Sequence, residues 1–218
     1  MGEVRLAAAL DLLSRLEKQE GVSQVFSLAA RPADAERLAH AGASLWRASQ
    51  DAFHFGAVLA EFAAGHGRSG LAYFGGASAP LADTTALAAA FAVADESRPT
   101  AAVNNLYSTD WFVINDGSLL VPLAASIPND NPVGWRLQQE TGCTVQPLPA
   151  RAATRADIDT PADAFLLSGH PDLGPFLETV LNQGPADMLR RTDSLRQVLR
   201  SQARTLAVIG RSSSHVWR

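Results

Sequence analysis

The sequence predicts an α/β protein of three-layer type, with a mostly parallel sheet and helices on both faces. Three observations predict it. Short apolar stretches alternate with amphipathic stretches of helical period along the 218 residues, the order that builds βαβ units. An apolar fraction of 47% beside 18% charged residues is enough to bury a core in a chain of this length. Two fragments, Gly75-Gly76-Ala77-Ser78-Ala79-Pro80-Leu81 and Asp157-Ile158-Asp159-Thr160-Pro161-Ala162-Asp163, each mark a passage from strand through loop to helix. Ligands of α/β sheets bind in the crevice at the carboxyl ends of the strands, where such loops meet.

The elements follow in order. Leu6, Leu10, Leu13 and Leu16 recur at helical spacing, so 4–19 reads as an amphipathic helix stopped by Gly21. Residues 22–28 form a short strand, and Pro32 opens a helix over 33–41. A short strand at 44–47 precedes a helix carrying Phe53, Val58, Leu59 and Phe62, which the 65–70 loop ends. Strand 70–74 runs into Gly75-Gly76, and Asp83 is placed to cap a helix over 84–94. Strand 111–114 turns at Asn115-Asp116-Gly117 toward a partner at 118–123. A helix over 131–140 is ended by Gly142, 144–146 is a strand, and 151–155 is an irregular connection. Helices at 161–167, 173–181 and 185–202 lead to a last strand at 205–209. No repeat or linker divides the chain, so 1–218 reads as one domain, with 170–218 a mainly helical extension ending in a strand.

Bulk properties exclude several functions. A net charge of −4 and a pI near 5.7 leave no basic field for nucleic acid. Arg190, Arg191, Arg196, Arg200, Arg204 and Arg211 alternate with apolar residues at helical spacing and read as a wet helix face. Cys143 is the single cysteine, which removes disulfide frameworks and CxxC metal sites; it is expected at the edge of a buried strand. The longest apolar run, 86–94, is about half a membrane span, and no charged-then-apolar leader precedes the first helix. A soluble, cytoplasmic protein is expected, without membrane partners. An exposed Trp217 would mark a contact surface.

The element order, with Phe53-His54-Phe55-Gly56, the strand ending in Gly75-Gly76, an x-Pro-Leu turn and the Asp-x-Asp-Thr-Pro-x-Asp motif, resembles the nucleotidyltransferase branch of the GT-A-like fold. Within it the chain is similar, over roughly residues 6–167, to proteins that transfer nucleotidyl groups to molybdopterin, phospholactate and sugar or polyol phosphates. The resemblance implies transfer of a nucleoside monophosphate from a nucleoside triphosphate to a small phosphorylated acceptor, with Mg²⁺ as cofactor. It places Mg²⁺ on Asp157 and Asp159, the nucleotide along Gly75, Gly76, Ser78 and Pro80, and the acceptor at Asn105 or Asp110. The pattern departs from the family twice. The strand and glycine- and basic-rich phosphate loop expected before Leu6 are missing, and Ser78 stands where members carry a metal-binding Asp.

Each site has a second reading. Asp157 and Asp159 point the same way in an extended segment and suit a hard cation. The same motif also reads as a helix cap, with Asp159 or Thr160 at N-cap, Pro161 at the first position and Asp163 complementing the dipole. The 75–80 segment either brings backbone N–H groups to a ligand or forms a tight turn requiring φ > 0. Asn105 and Asp110 sit in a run, 104–110, whose Asn, Ser, Thr and Asp also favour turns. The order Ser78, Asp157 or Asp159, His170 echoes a hydrolase triad, but Pro80 replaces the last glycine of the elbow and Asp83 delays the helix. His54 and His170 lack zinc-ligand spacing. Two functions therefore stand side by side: a Mg²⁺-dependent nucleotidyltransferase, and a non-catalytic relative that binds a nucleotide, a sugar phosphate or a protein partner.

Overall fold

A computed structural model describes residues 1–49, 52–66 and 70–201. Helix α1 (Gly2–Leu16) buries Leu6, Leu10, Leu12, Leu13 and Leu16, the stripe its spacing predicts. Strand β1 (Phe26–Ser27), helix α2 (Pro32–His40), strand β2 (Ser44–Leu45) and helix α3 (Phe55–His66) follow, then strand β3 (Leu71–Phe74). Asp83 caps helix α4 (Thr84–Phe91), its carboxylate accepting from the Ala86 N–H at 2.7 Å. The expected helix over 84–94 tightens to a 3₁₀ turn at Ala92–Asp95. Strand β4 (Thr100–Val103), strand β5 (Trp111–Ile114), helix α5 (Val133–Glu140) and strand β6 (Thr144–Pro147) complete the central part. Helices α6 (Ala152–Arg155), α7 (Pro161–Leu167), α8 (Pro175–Asn182) and α9 (Ala186–Arg200) form the rest. The strand expected at 205–209 and Trp217 lie outside the described residues.

The architecture is α/β with mixed sheets. Among the described residues β3, β5, β4 and β6 form a four-stranded sheet in that order, and β1 pairs with β2 in parallel. The expectation of a mostly parallel sheet is corrected among the described residues to a mixed one: β5 runs antiparallel to both β3 and β4, and β4 with β6 is parallel. The reason is a short return. β4 reaches β5 through only residues 104–110, too few for the crossover a parallel pair needs.

The expected strand at 118–123 is also corrected. Asp116 accepts from the Ser118 N–H and hydroxyl and caps a 3₁₀ turn at Gly117–Leu120. The Asn115 amide donates to the Glu96 and Arg98 carbonyls while its oxygen accepts from the Thr100 N–H. The chain after β5 is thereby tied to the start of β4 instead of closing a hairpin. The irregular connection expected at 151–155 contains the single turn α6.

The four-stranded sheet is covered on two faces. Leu71, Ala101, Val103, Phe112, Ile114 and Val145 join Phe55, Leu59 and Ala63 of α3 and Val133 and Leu137 of α5. Ala102, Trp111 and Val113, the alternate residues, join Leu12 and Leu16 of α1 and Leu87 and Ala90 of α4. Residues after 170 are fastened from below. The buried Asp11 carboxylate accepts from the Phe176 and Leu177 N–H groups at 3.1 and 2.8 Å, capping α8 from α1. Gly174 permits this approach, because a Cβ there would overlap the Asp11 carboxyl group. Arg190, Arg191 and Arg200 are exposed on α9, whereas Arg196 donates to the Leu166 carbonyl at 3.1 Å, at the end of α7.

Candidate functional site

The two fragments that stand apart in the sequence are joined in the fold. Ser78 and Asp157 form an antiparallel bridge; the Ala79 N–H donates to the Ala156 carbonyl at 3.2 Å and the Ile158 N–H to the Ala77 carbonyl at 3.3 Å. Local chemistry sets up each side. β3 continues past Phe74 through a Gly75 N–H bond to the Asp110 carbonyl at 3.1 Å, which carries the strand's end up to the polar loop before β5. The chain then turns. The Ser78 N–H and hydroxyl both donate to the Gly75 carbonyl, at 3.0 and 2.8 Å. The left-handed residue is the fully buried Ala79 (φ 58°), a conformation that costs on the order of 1 kcal/mol for a residue with a Cβ. Arg15 of α1 holds the turn from behind by donating to the Pro80 and Ala82 carbonyls at 3.1 and 2.9 Å.

These contacts sort the residues of the 75–80 segment. Ser78 is buried with its hydroxyl spent inside the turn, and Pro80 is buried with its carbonyl on Arg15. Gly76 is exposed, and a Cβ on it would meet nothing within 4 Å; Gly75 is half-buried. The face this turn offers a ligand is the backbone around Gly75 and Gly76. The hydrolase reading has no support here: the Ser78 hydroxyl is committed to a carbonyl, and His170 Nδ1 accepts from the Asp172 N–H at 3.2 Å.

Across the bridge, the Asp-x-Asp-Thr-Pro-x-Asp motif does two jobs. Thr160 and Asp163 form a capping box on α7: the Asp163 carboxylate accepts from the Thr160 N–H at 2.7 Å, and Pro161 takes the first helical position. The cap reading is therefore correct for the second half of the motif, with Thr160 as N-cap. Asp157 and Asp159 take no part in that cap through their side chains. Arg5 of α1 reaches the backbone carbonyl of Asp159 at 3.3 Å, not its carboxylate.

Asp157 sits in a field of like charge. Burial, then the charges of Asp159, Asp110 and Asp130, push its carboxyl up to about 7. Asp110 is raised by burial, opposed by a hydrogen bond from the Asn104 amide at 2.8 Å and raised further by Asp130 and Asp159. Asn104 is the clamp: its side-chain oxygen also accepts from the Asp110 N–H at 2.9 Å. Asp130 is likewise raised by burial, and accepts from the Tyr73 hydroxyl at 3.3 Å. Tyr73, on β3, is raised in turn by its own burial and by Asp130. Among the described residues no ion pair reaches any of the four acids.

A half-buried cation stands close to Asp110. Arg155, at the end of α6, lowers the Asp110 carboxyl, and its own pKa is lowered by burial against the opposing pull of Asp110. Its Nε and Nη1 are buried with no hydrogen-bond partner among the described residues. Buried guanidinium nitrogens without a hydrogen-bond partner are costly.

Asn105 is buried beside the cluster; its side-chain oxygen accepts from the Tyr107 N–H at 3.3 Å, and its carbonyl from the Thr109 hydroxyl at 2.7 Å. Asp130, Tyr73 and Arg155 belong to the cluster without a signal in the sequence motifs, and Asn104 lies in the 104–110 run, where Asn105 and Asp110 are the expected ligand contacts. Asp130 could have been found from Pro128-Asn129-Asp130-Asn131-Pro132, a loop bounded by prolines. Two surface pockets, one lined by residues including Glu17, Val22 and Gly42 and one by residues of α9, share no lining residue with these acids. Cys143 is buried and its thiol is pushed up to about 11, mainly by burial. Among the described residues no helix is long and apolar enough to cross a membrane. No protein-family model matches the chain, and no curated protein matches it.

Proposed function

We propose that the junction of the 75–80 turn with Asp157 and Asp159 binds the phosphates of a nucleoside triphosphate with Mg²⁺, and that the protein transfers the nucleoside monophosphate to a small phosphorylated acceptor. The observation that carries this reading is the Ser78–Asp157 bridge, which sets an open backbone turn against two carboxylates outside the cap. The residues present fit such a ligand. The donors are hard oxygens, the four acids lack an ion-pair partner among the described residues, and Arg155 adds a positive charge beside Asp110. Among the described residues no three acidic, histidine or cysteine side chains converge on one point, so a cation here would rest on Asp157 and Asp159 and on oxygens of the bound phosphates.

In the reaction, an acceptor phosphate oxygen attacks the α-phosphorus, the new P–O bond forms, and the bond to pyrophosphate breaks, the electron pair leaving with pyrophosphate. Mg²⁺ supplies neutralisation of the phosphate charge. The chain's own residues position the reactants. The Gly75-Gly76 backbone lies against the nucleotide, Arg155, whose charge acts on Asp110, offsets phosphate charge, and Asn104 fixes Asp110 where an acceptor is read. Because Asp157 holds its proton up to about 7, cation binding competes with protonation and strengthens from pH 6 to pH 8.

The non-catalytic alternative is favoured by one observation: Ser78 stands where the resemblance expects a metal-binding carboxylate, and its hydroxyl is closed into the turn. A thermal-shift panel of nucleoside triphosphates with and without Mg²⁺, followed by pyrophosphate-release assays with phosphorylated acceptors, separates the readings. A metal-dependent shift with turnover supports the transferase. A shift without turnover supports a nucleotide-binding protein, and no shift with any nucleotide overturns the transferase and leaves the alternative only as a binder of a sugar phosphate or a protein partner.

A further inference from the structure

Ala79 is held in a conformation that its side chain disfavours. Among the described residues it is the one non-glycine with positive φ, at 58°, and it is fully buried. A strained backbone persists where its surroundings over-determine it. Three contacts do so here. The Ala79 N–H donates to the Ala156 carbonyl at 3.2 Å, and the Ala82 N–H closes a turn on the Ala79 carbonyl at 3.0 Å. Arg15 of α1 grips that turn through Nη1, which donates to the Pro80 carbonyl at 3.1 Å and the Ala82 carbonyl at 2.9 Å.

The second nitrogen of the same guanidinium leads elsewhere. Arg15 Nη2 donates at 2.9 Å to the carbonyl of Asp172, just before Gly174, the N-cap residue of α8. One helical turn earlier on α1, the buried Asp11 carboxylate accepts from the Phe176 and Leu177 N–H groups of α8. Asp11 also feels Arg15: burial raises its carboxyl, and the two α8 N–H groups and the Arg15 charge lower it. Neighbouring side chains of α1 therefore fix both the turn around Ala79 and the start of α8, and one guanidinium touches both.

We propose that Arg15 is a positioning residue for the Gly75–Gly76 turn: it holds Ala79 left-handed, which sets the backbone that meets the ligand, and it links ligand affinity to the docking of α8. The identity of the ligand rests on the proposed nucleotide site, whereas the brace within the protein does not. The residue type matters. A planar guanidinium presents donors to the Pro80 and Ala82 carbonyls on one side and to Asp172 on the other, while a lysine ammonium is a single point that cannot serve both. Coupling of this kind is reciprocal, so a ligand that tightens the turn also tightens the start of α8.

Wild type and Arg15→Lys, both as the full chain, are compared by NMR and by binding. Without ligand, wild type is expected to show the strong intraresidue HN–Hα NOE of positive φ at Ala79 and slowly exchanging Arg15 guanidinium protons. Absence of either overturns the brace, even if the variant does not fold. With Mg²⁺ and the nucleoside triphosphate that most stabilises wild type, Arg15→Lys is expected to lose affinity on the order of tenfold. In turnover that loss should fall on KM, with kcat within about twofold, because the turn meets ground state and transition state alike. The nucleotide should also slow exchange of the Phe176 and Leu177 amides in wild type and not in Arg15→Lys. Unchanged affinity in the folded variant, or equal protection of those amides in both proteins, overturns the proposal. If wild type binds no nucleotide, the nucleotide reading fails by itself; the brace then stands if Arg15→Lys loses the Ala79 signature and falls if it keeps it.

Discussion

Asp157 concentrates the electrostatic cost of the site. Its carboxyl is raised from 3.8 to about 7, first by burial and then by Asp159, Asp110 and Asp130. A raised acid stabilises the fold when protonated: the contribution is complete below the unfolded value and is lost as pH climbs through the folded one. Asp157→Asn mimics the protonated form. Its melting temperature should match wild type near pH 4, exceed it increasingly up to pH 7, and stay higher by several degrees at pH 8. Equal melting curves at pH 8 would show that the carboxylate is not confined as described. Cys143 gives a second residue-scale expectation. With its thiol buried and pushed up to about 11, it should resist thiol reagents at pH 8 until denaturant unfolds the chain. Rapid labelling of the native protein would contradict its burial.

Among elements, local chemistry was legible and long-range chemistry was not. The Asp83 cap, the Pro161 start and the Leu6 to Leu16 stripe could be read because each depends on residues within one or two turns. β4 could not: Thr100-Ala101-Ala102-Val103 carries two alanines of weak strand preference, and becomes a strand because β5 and β6 flank it. The motif at 157–163 also divides by element. Asp163→Ala removes half of the α7 capping box and should cost about 1 kcal/mol in denaturant titration, while leaving any Mg²⁺-dependent nucleotide shift in place. Asp11→Ala removes both side-chain acceptors at the start of α8 and should cost about 1–2 kcal/mol, loosening α8 from α1. Loss of the nucleotide shift in Asp163→Ala would mean that the cap and the ligand site are not separable.

On the scale of the whole molecule, the sequence showed two loops and the fold shows one junction. Neither fragment indicates which strand order brings Ser78 to Asp157, since the pairing spans about a third of the chain and is made by backbone groups. The same distance hid Asp130, Tyr73 and Arg155, whose importance lies in burial and in one another's charge. Mn²⁺ standing in for Mg²⁺ tests the proposed oxyanion-and-cation site at that junction directly. In amide spectra of the folded chain with Mn²⁺ and a nucleoside triphosphate, paramagnetic broadening should centre on Gly76, Asp110, Asp130 and Asp157 to Asp159. The β1–β2 sheet and α9 should keep sharp lines. Broadening elsewhere, or none specific to the nucleotide, would contradict the site.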